Sequence, residues 1–191
     1  MRSSLWLVSA IALAIGGVAI LRAQAPADAL YPGSGLTRQQ IMDKLTATGY
    51  QSKPVIAEGK ETFQALCSGC HVFGDVGASV GPDLTTVGSR FKKRDILDSI
   101  LWPSHAISDQ YTMTMFLLDD GTTESGLIVR EDAQFVFVKN AAHLEGRGLP
   151  VPVARIKDRK ESTVSLMPEG LMASLKLEQI DNLVAFLLTG K

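Results

Sequence analysis

Both cysteines of the chain fall within five residues, Cys67-Ser68-Gly69-Cys70-His71. On a helical turn, positions i, i+3 and i+4 share a face, so two thiols and an imidazole are directed at one object. Four chemistries can be set against that spacing. A structural zinc site takes four such ligands, and the chain adds only His105 and His143 to the set. A Cys-x-x-Cys thiol oxidoreductase belongs on a strand-to-helix unit, and the flanking residues do not read as one. A plain disulfide leaves the adjacent histidine unexplained. Covalent haem attachment uses every residue, the thiols adding to the two vinyl groups while His71 reaches the iron from the same side.

The N-terminus sets the compartment. Residues 1–27 read as a signal peptide or N-terminal anchor: Arg2 is the positive n-region, Leu5 to Leu21 is apolar apart from Ser9, and Ala25-Pro26-Ala27 offers small residues for cleavage. The apolar stretch is long for a signal and short for a membrane span, so two outcomes follow, cleavage or membrane attachment through residues 5–21. Either way the expected location is periplasmic or otherwise extracytoplasmic. No cysteine precedes Cys67, which removes a lipoprotein anchor. Loss of residues 1–27 removes Arg2 and Arg22 and no acid, leaving 17 basic against 20 acidic residues, a net charge of −3. The basic clusters Lys92-Lys93-Arg94 and Arg155 to Lys160 have acids close by, so no face is suited to a nucleic-acid backbone.

Local patterns place the motif. Glu58 to Leu66 has helix-forming composition with Phe63 and Leu66 three apart, a helix leading into Cys67. After His71 a glycine-rich run ends in Gly81-Pro82-Asp83-Leu84, where proline forbids helix, and the Pro82 carbonyl is the candidate acceptor for the second nitrogen of His71. Residues 92–102 carry Ile96, Leu97, Ile100 and Leu101 at helical spacing before Pro103. Arg90 and Trp102 flank this helix, as candidates for a haem propionate contact or for plain surface and core roles. From Tyr111 the period turns to two, and Asp120-Gly121 reads as a hairpin turn, so residues 110–160 form strands. Met113 and Met115 are expected in the core of that sheet rather than on iron. Leu175 to Leu188 returns to helix, with Lys176 a poor cap and Ser174 a candidate two residues earlier. In residues 28–57, Thr37-Arg38-Gln39-Gln40 reads as a capping box ahead of one short helix.

Iron held by one histidine has either a second ligand or an open face. Met167, in Ser165-Leu166-Met167-Pro168-Glu169-Gly170-Leu171, lies in a turn-rich loop before the last helix and is the leading candidate. Met172, His105 and His143 compete with it. A thioether raises the reduction potential relative to a second imidazole.

These motifs together resemble the haem-binding cytochrome c domain of Pirellula/Verrucomicrobium type. The resemblance runs from Gly59 to Leu188 and rests on Cys67 to His71, Gly81 to Leu84, Ile100-Leu101-Trp102-Pro103, Tyr111, Asp120-Gly121, Gly126 and Ser165 to Leu171. It implies a mainly α fold with a β insert (α+β), a class I cytochrome c-like helical haem domain (residues 58–191) interrupted by a small antiparallel β-sheet or barrel at about residues 110–160. It also implies His71 and Met167 as axial metal ligands. In this family the domain is often fused to a β-propeller dehydrogenase, and here it stands alone, so no built-in dehydrogenase activity is expected.

The expected function is that of an exported monohaem c-type cytochrome, not itself an enzyme. It would transfer single electrons through one covalently attached haem c, as a carrier or electron-entry module for redox partner proteins. The alternative is a haem enzyme or gas sensor with an open sixth position, in which His105 or His143 acts in a distal pocket. A further reading makes the β insert a docking module and the haem structural.

Overall fold

The computed structural model describes residues 29–191, and the expected signal or anchor at 1–27 lies outside them. The first helix, α1 (Arg38–Thr46), starts where the sequence puts its cap: the Gln40 N–H donates to Thr37 Oγ1 at 3.1 Å, and the Thr37 N–H donates back to Gln40 Oε1 at 2.9 Å. Two otherwise orphaned donors are satisfied at once. Four further helices follow, α2 (Ile56–Leu66), α3 (Val87–Arg90), α4 (Lys93–Leu101) and α5 (Leu177–Leu187). Pro103 cannot continue α4, and Trp102 before it has already left helical angles. At the start of α5, Ser174 plays no capping role; Gln179 Oε1 instead accepts from the Lys176 N–H at 3.0 Å.

The helices bury one shared core. Phe63 of α2, Leu97 and Leu101 of α4, and Ile180, Leu183 and Val184 of α5 are at most 1% exposed, and Ile41, Met42 and Leu45 of α1 close one side. Each fully buried side chain of this size contributes about 1.5–3 kcal/mol. α2 and α5 approach closely at Gly59, where a Cβ would lie 2.1 Å from the Asn182 carbonyl oxygen. Asn182 then ties α5 to the first turn of α2, accepting from the Val55 N–H and donating to Glu58, each at 2.8 Å. Beside it the buried Asp181 meets Lys93 Nζ at 2.5 Å, which ties α4 to α5 and pairs a carboxylate that burial would otherwise penalise.

Residues 114–161 carry five strands, β1 (Thr114–Leu118), β2 (Thr123–Glu131), β3 (Phe135–Lys139), β4 (Leu149–Pro152) and β5 (Ile156–Glu161). The sheet order is β4-β3-β2-β1-β5, and every neighbouring pair is antiparallel. The β1–β2 hairpin turns through Gly121, whose φ of 82° suits glycine. β2 pairs with β1 along its first half and with β3 along its second, and a register shift between Ile128 and Arg130 bends it in the middle. The sheet buries Phe116 and Leu118 of β1, Val136 and Val138 of β3 and Val151 of β4 in one cluster. Arg159 of β5 then grips Glu131 at the far end of β2 with two hydrogen bonds of 2.9 and 2.7 Å, a fork that fixes the curl of the sheet.

This architecture corrects the expectation of a mainly α, cytochrome c-like helical fold with a subordinate insert. Among the described residues helix accounts for 31% and strand for 21%, and the fold is α+β. The physical reason is that the sheet has its own hydrophobic core, separate from the helical one. A second correction concerns Met115, expected in the core. It is 43% exposed, because β1 turns Phe116 and Leu118 inward and so puts Met115 and Leu117 outside. No helix of the described residues is long and apolar enough to cross a membrane.

Candidate functional site

α2 delivers the cysteine motif. Cys67 closes the helix, its N–H donating to the Phe63 carbonyl at 2.8 Å. The chain then makes one more turn, with the N–H groups of Cys70 and His71 both donating to the Cys67 carbonyl, at 3.0 and 2.9 Å. The loop that follows folds back onto this turn. Ala78 N–H reaches the Ser68 carbonyl at 2.9 Å, and Val80 and Gly81 N–H reach the Cys70 carbonyl at 3.0 and 2.8 Å. Underneath, Phe63, Phe73 and Phe186 stack in tilted pairs, with Phe73 and Phe186 centroids 4.5 Å apart. Backbone bonds on both sides and an aromatic floor hold the five residues.

The imidazole of His71 is equally constrained. Nδ1 lies 2.8 Å from the Pro82 carbonyl oxygen, which only accepts, so Nδ1 carries the proton and Nε2 keeps its lone pair. Gly81 packs flat on the ring: a Cβ there would lie 2.6 Å from Cε1 and 3.1 Å from Nε2. Burial holds the imidazole below its usual range, outweighing the opposite pull of the Pro82 carbonyl. His71 is therefore a neutral, oriented, single-nitrogen donor.

Both thiols are free. Burial first, and the neighbouring Cys70 second, push the Cys67 thiol up to about 11, and burial raises Cys70 as well. Position works in the same direction, since the carbonyl end of α2 disfavours an anion. Thiol oxidoreductases need the reverse, a depressed thiolate such as helix N-termini supply. The chemistry available here is that of neutral thiols. With Cys67 at about 11, its alkylation by iodoacetamide in the haem-free chain at mildly alkaline pH is expected to be roughly a hundredfold slower than that of free cysteine. Timed peptide mapping measures it, and a rate equal to that of free cysteine would contradict the burial argument. Among the described residues, no group of three or more His, Cys, Asp or Glu side chains is placed to hold a metal ion.

The remaining candidates fall on two segments. Arg90 is exposed at the end of α3, with Nη2 3.5 Å from the Asp83 carbonyl, and lines a cleft of about 380 Å³ with Pro82, Asp83, Thr85 and Tyr111. Met167 belongs to the loop before α5. It is half-buried, its N–H donates to Ser165 Oγ at 3.1 Å, and the Ser165 N–H donates to Ser104 Oγ at 3.1 Å. No hydrogen bond among the described residues joins residues 67–91 to residues 162–176. Of its competitors, Met172 is 2% exposed and packed in the helical core. His105 is 71% exposed and lies 3.3 Å from Asp98, and His143 is exposed beside Asn140.

Sequence reasoning missed Arg38. Its guanidinium is buried where α1, the end of α4 and the Met167 loop meet, and Nη1 donates to the Leu101 carbonyl at 3.1 Å and to Glu169 Oε2 at 3.2 Å. The available signal was spacing, for Arg38 stands three, four and seven residues before Ile41, Met42 and Leu45, on the apolar face of α1. No protein-family model matches this chain, and a search of curated proteins gives no match to it.

Proposed function

We propose that this chain is a monohaem c-type electron-transfer protein, with haem attached through Cys67 and Cys70, His71 as one iron ligand and Met167 as the other. The observation that carries the reading is the locked imidazole: Pro82 fixes the His71 tautomer and leaves Nε2 as donor, on the same turn as two neutral thiols. That donor set fits a covalently attached haem. Gly81 packs against the His71 imidazole, where any side chain would strike the ring. Bound there, the haem supplies the one-electron iron couple. The protein's part would be to attach it, to orient His71 and to offer Met167 as the second ligand.

The alternative, an open sixth position with a distal histidine, has little support. His105 and His143 are exposed and engaged by Asp98 and Asn140. Met167 is half-buried rather than consumed by the core, as Met172 is. Arg90, beside Pro82, remains a propionate partner within this proposal. The redox partner proteins and the extracytoplasmic location belong to the same reading, with residues 1–27 either cleaved or retained as a membrane attachment through residues 5–21.

Absorption spectroscopy of protein made with a haem-attachment system tests it. The ferric protein is expected to show the weak far-red band of thioether ligation, and Met167→Ala is expected to abolish that band while leaving the haem attached. A parent protein without the band would overturn Met167 as ligand.

A further inference from the structure

The N-terminal extension, outside the cysteine motif and its loop, reaches the Met167 loop at two points. Arg38 is 8% exposed and donates from one nitrogen to the Leu101 carbonyl and to Glu169, at 3.1 and 3.2 Å, while its Cζ sits 5.7 Å from the centre of the Trp102 ring. The Leu101 carbonyl is among the last of α4, a group with no partner within its own helix. Glu169 is two residues from Met167, and the intervening Pro168 has its φ fixed. Anchoring the carboxylate therefore limits how far the backbone at Met167 can move. The loop is tied at both ends as well, by Ser104 Oγ to the Ser165 N–H at 3.1 Å, and by the Gly33 N–H to the Ala173 carbonyl at 2.9 Å. Two of these ties come from residues 31–38, a segment that contributes nothing to the cysteine turn.

We infer that Arg38 is a positioning residue for Met167: the extension, through the Arg38–Glu169–Leu101 clamp, holds the loop closed and so sets how readily the methionine leaves the iron. This rests on the proposed His71/Met167 ligation. A thioether is a neutral, weak ligand, and its occupancy depends on preorganisation of the chain that carries it. If the clamp is lost, the open-loop population rises, and any exogenous ligand that binds only the open state gains apparent affinity in proportion.

The test is imidazole titration of the ferric holoprotein, followed by its visible spectrum, in the parent, Arg38→Met, Arg38→Lys, Glu169→Gln and Met167→Ala. Loss of a charge-assisted hydrogen bond at a partly buried site is expected to raise imidazole affinity roughly tenfold in Arg38→Met. Arg38→Lys keeps the charge and donors and is expected to stay nearer the parent. In the Met167→Ala background, Arg38→Met is expected to add nothing, which a merely structural role would not produce. Should Arg38→Met fail to fold, Glu169→Gln, at the more exposed end of the pair, carries the same expectation. A far-red band in the parent together with unchanged imidazole affinity in the clamp variants would overturn the role of Arg38 alone. Absence of the band in the parent would overturn the ligation and this inference with it.

Discussion

The Cys67→Ser/Cys70→Ser variant is expected to lose all covalently bound haem while keeping its fold. Serine hydroxyls do not add to vinyl groups under the conditions in which thiols do, so attachment should fall from one haem per chain to none, with each single variant retaining one bond. The substitution is gentle on the structure. The thiols are free, the one at position 67 is neutral at physiological pH with its value at about 11, and the hydrogen bonds that hold the turn come from backbone N–H groups. Intact mass after acid-acetone extraction reads attachment, and circular dichroism reads the fold. Haem that stays with the double variant through extraction would sink the covalent assignment. Loss of both haem and fold would trace the defect to the turn rather than to the chemistry.

What made the site legible is that its chemistry is local. Cys67, Cys70 and His71 lie within one turn, so spacing alone puts them on one face. Pro82 stands 11 residues on from His71, in a stretch that proline and glycine keep out of helix, and its carbonyl meets Nδ1 at 2.8 Å. Helices α2, α4 and α5 were readable for a similar reason, since apolar residues at helical spacing leave one arrangement that buries them. The sheet was readable as strands but not in its weight or its faces. Met115-Phe116-Leu117-Leu118 is apolar on both sides, so period two does not say which pair goes inward. The pairings with β2 and β5 decide that, and they lie in other parts of the chain. The bend that lets β2 serve two partners has no marker of its own in sequence. Arg38 was lost differently: its partner Glu169 is 131 residues away, and a charged residue on an apolar helix face reads as an exception until that partner is known.

Gly59→Ala is expected to lower the melting temperature of the protein by about 2–8 °C, the larger of the effects that leave the motif itself untouched. Gly59 sits within α2, where alanine would by propensity alone be favoured by about 1 kcal/mol. The new Cβ, however, would lie 2.1 Å from the carbonyl oxygen and 2.7 Å from the carbonyl carbon of Asn182, and 2.8 Å from Cβ of Phe186. Two of those atoms are backbone of α5 and do not swing aside, so the helices must part. Parting them stretches the 2.8 Å bonds from Asn182 to Val55 and Glu58 and loosens Phe63 against Phe186, beneath the turn that carries Cys67. Overpacking on this scale costs about 1–3 kcal/mol or somewhat more, which outweighs the propensity gain. Gly69→Ala is the control: it lies within the motif, yet a Cβ there meets nothing within 4 Å. Thermal denaturation by circular dichroism should leave Gly69→Ala near the parent and shift Gly59→Ala well below it. Equal melting temperatures for the two would show that α2 and α5 do not cross at Gly59, and the floor beneath the cysteine turn would have to be drawn differently.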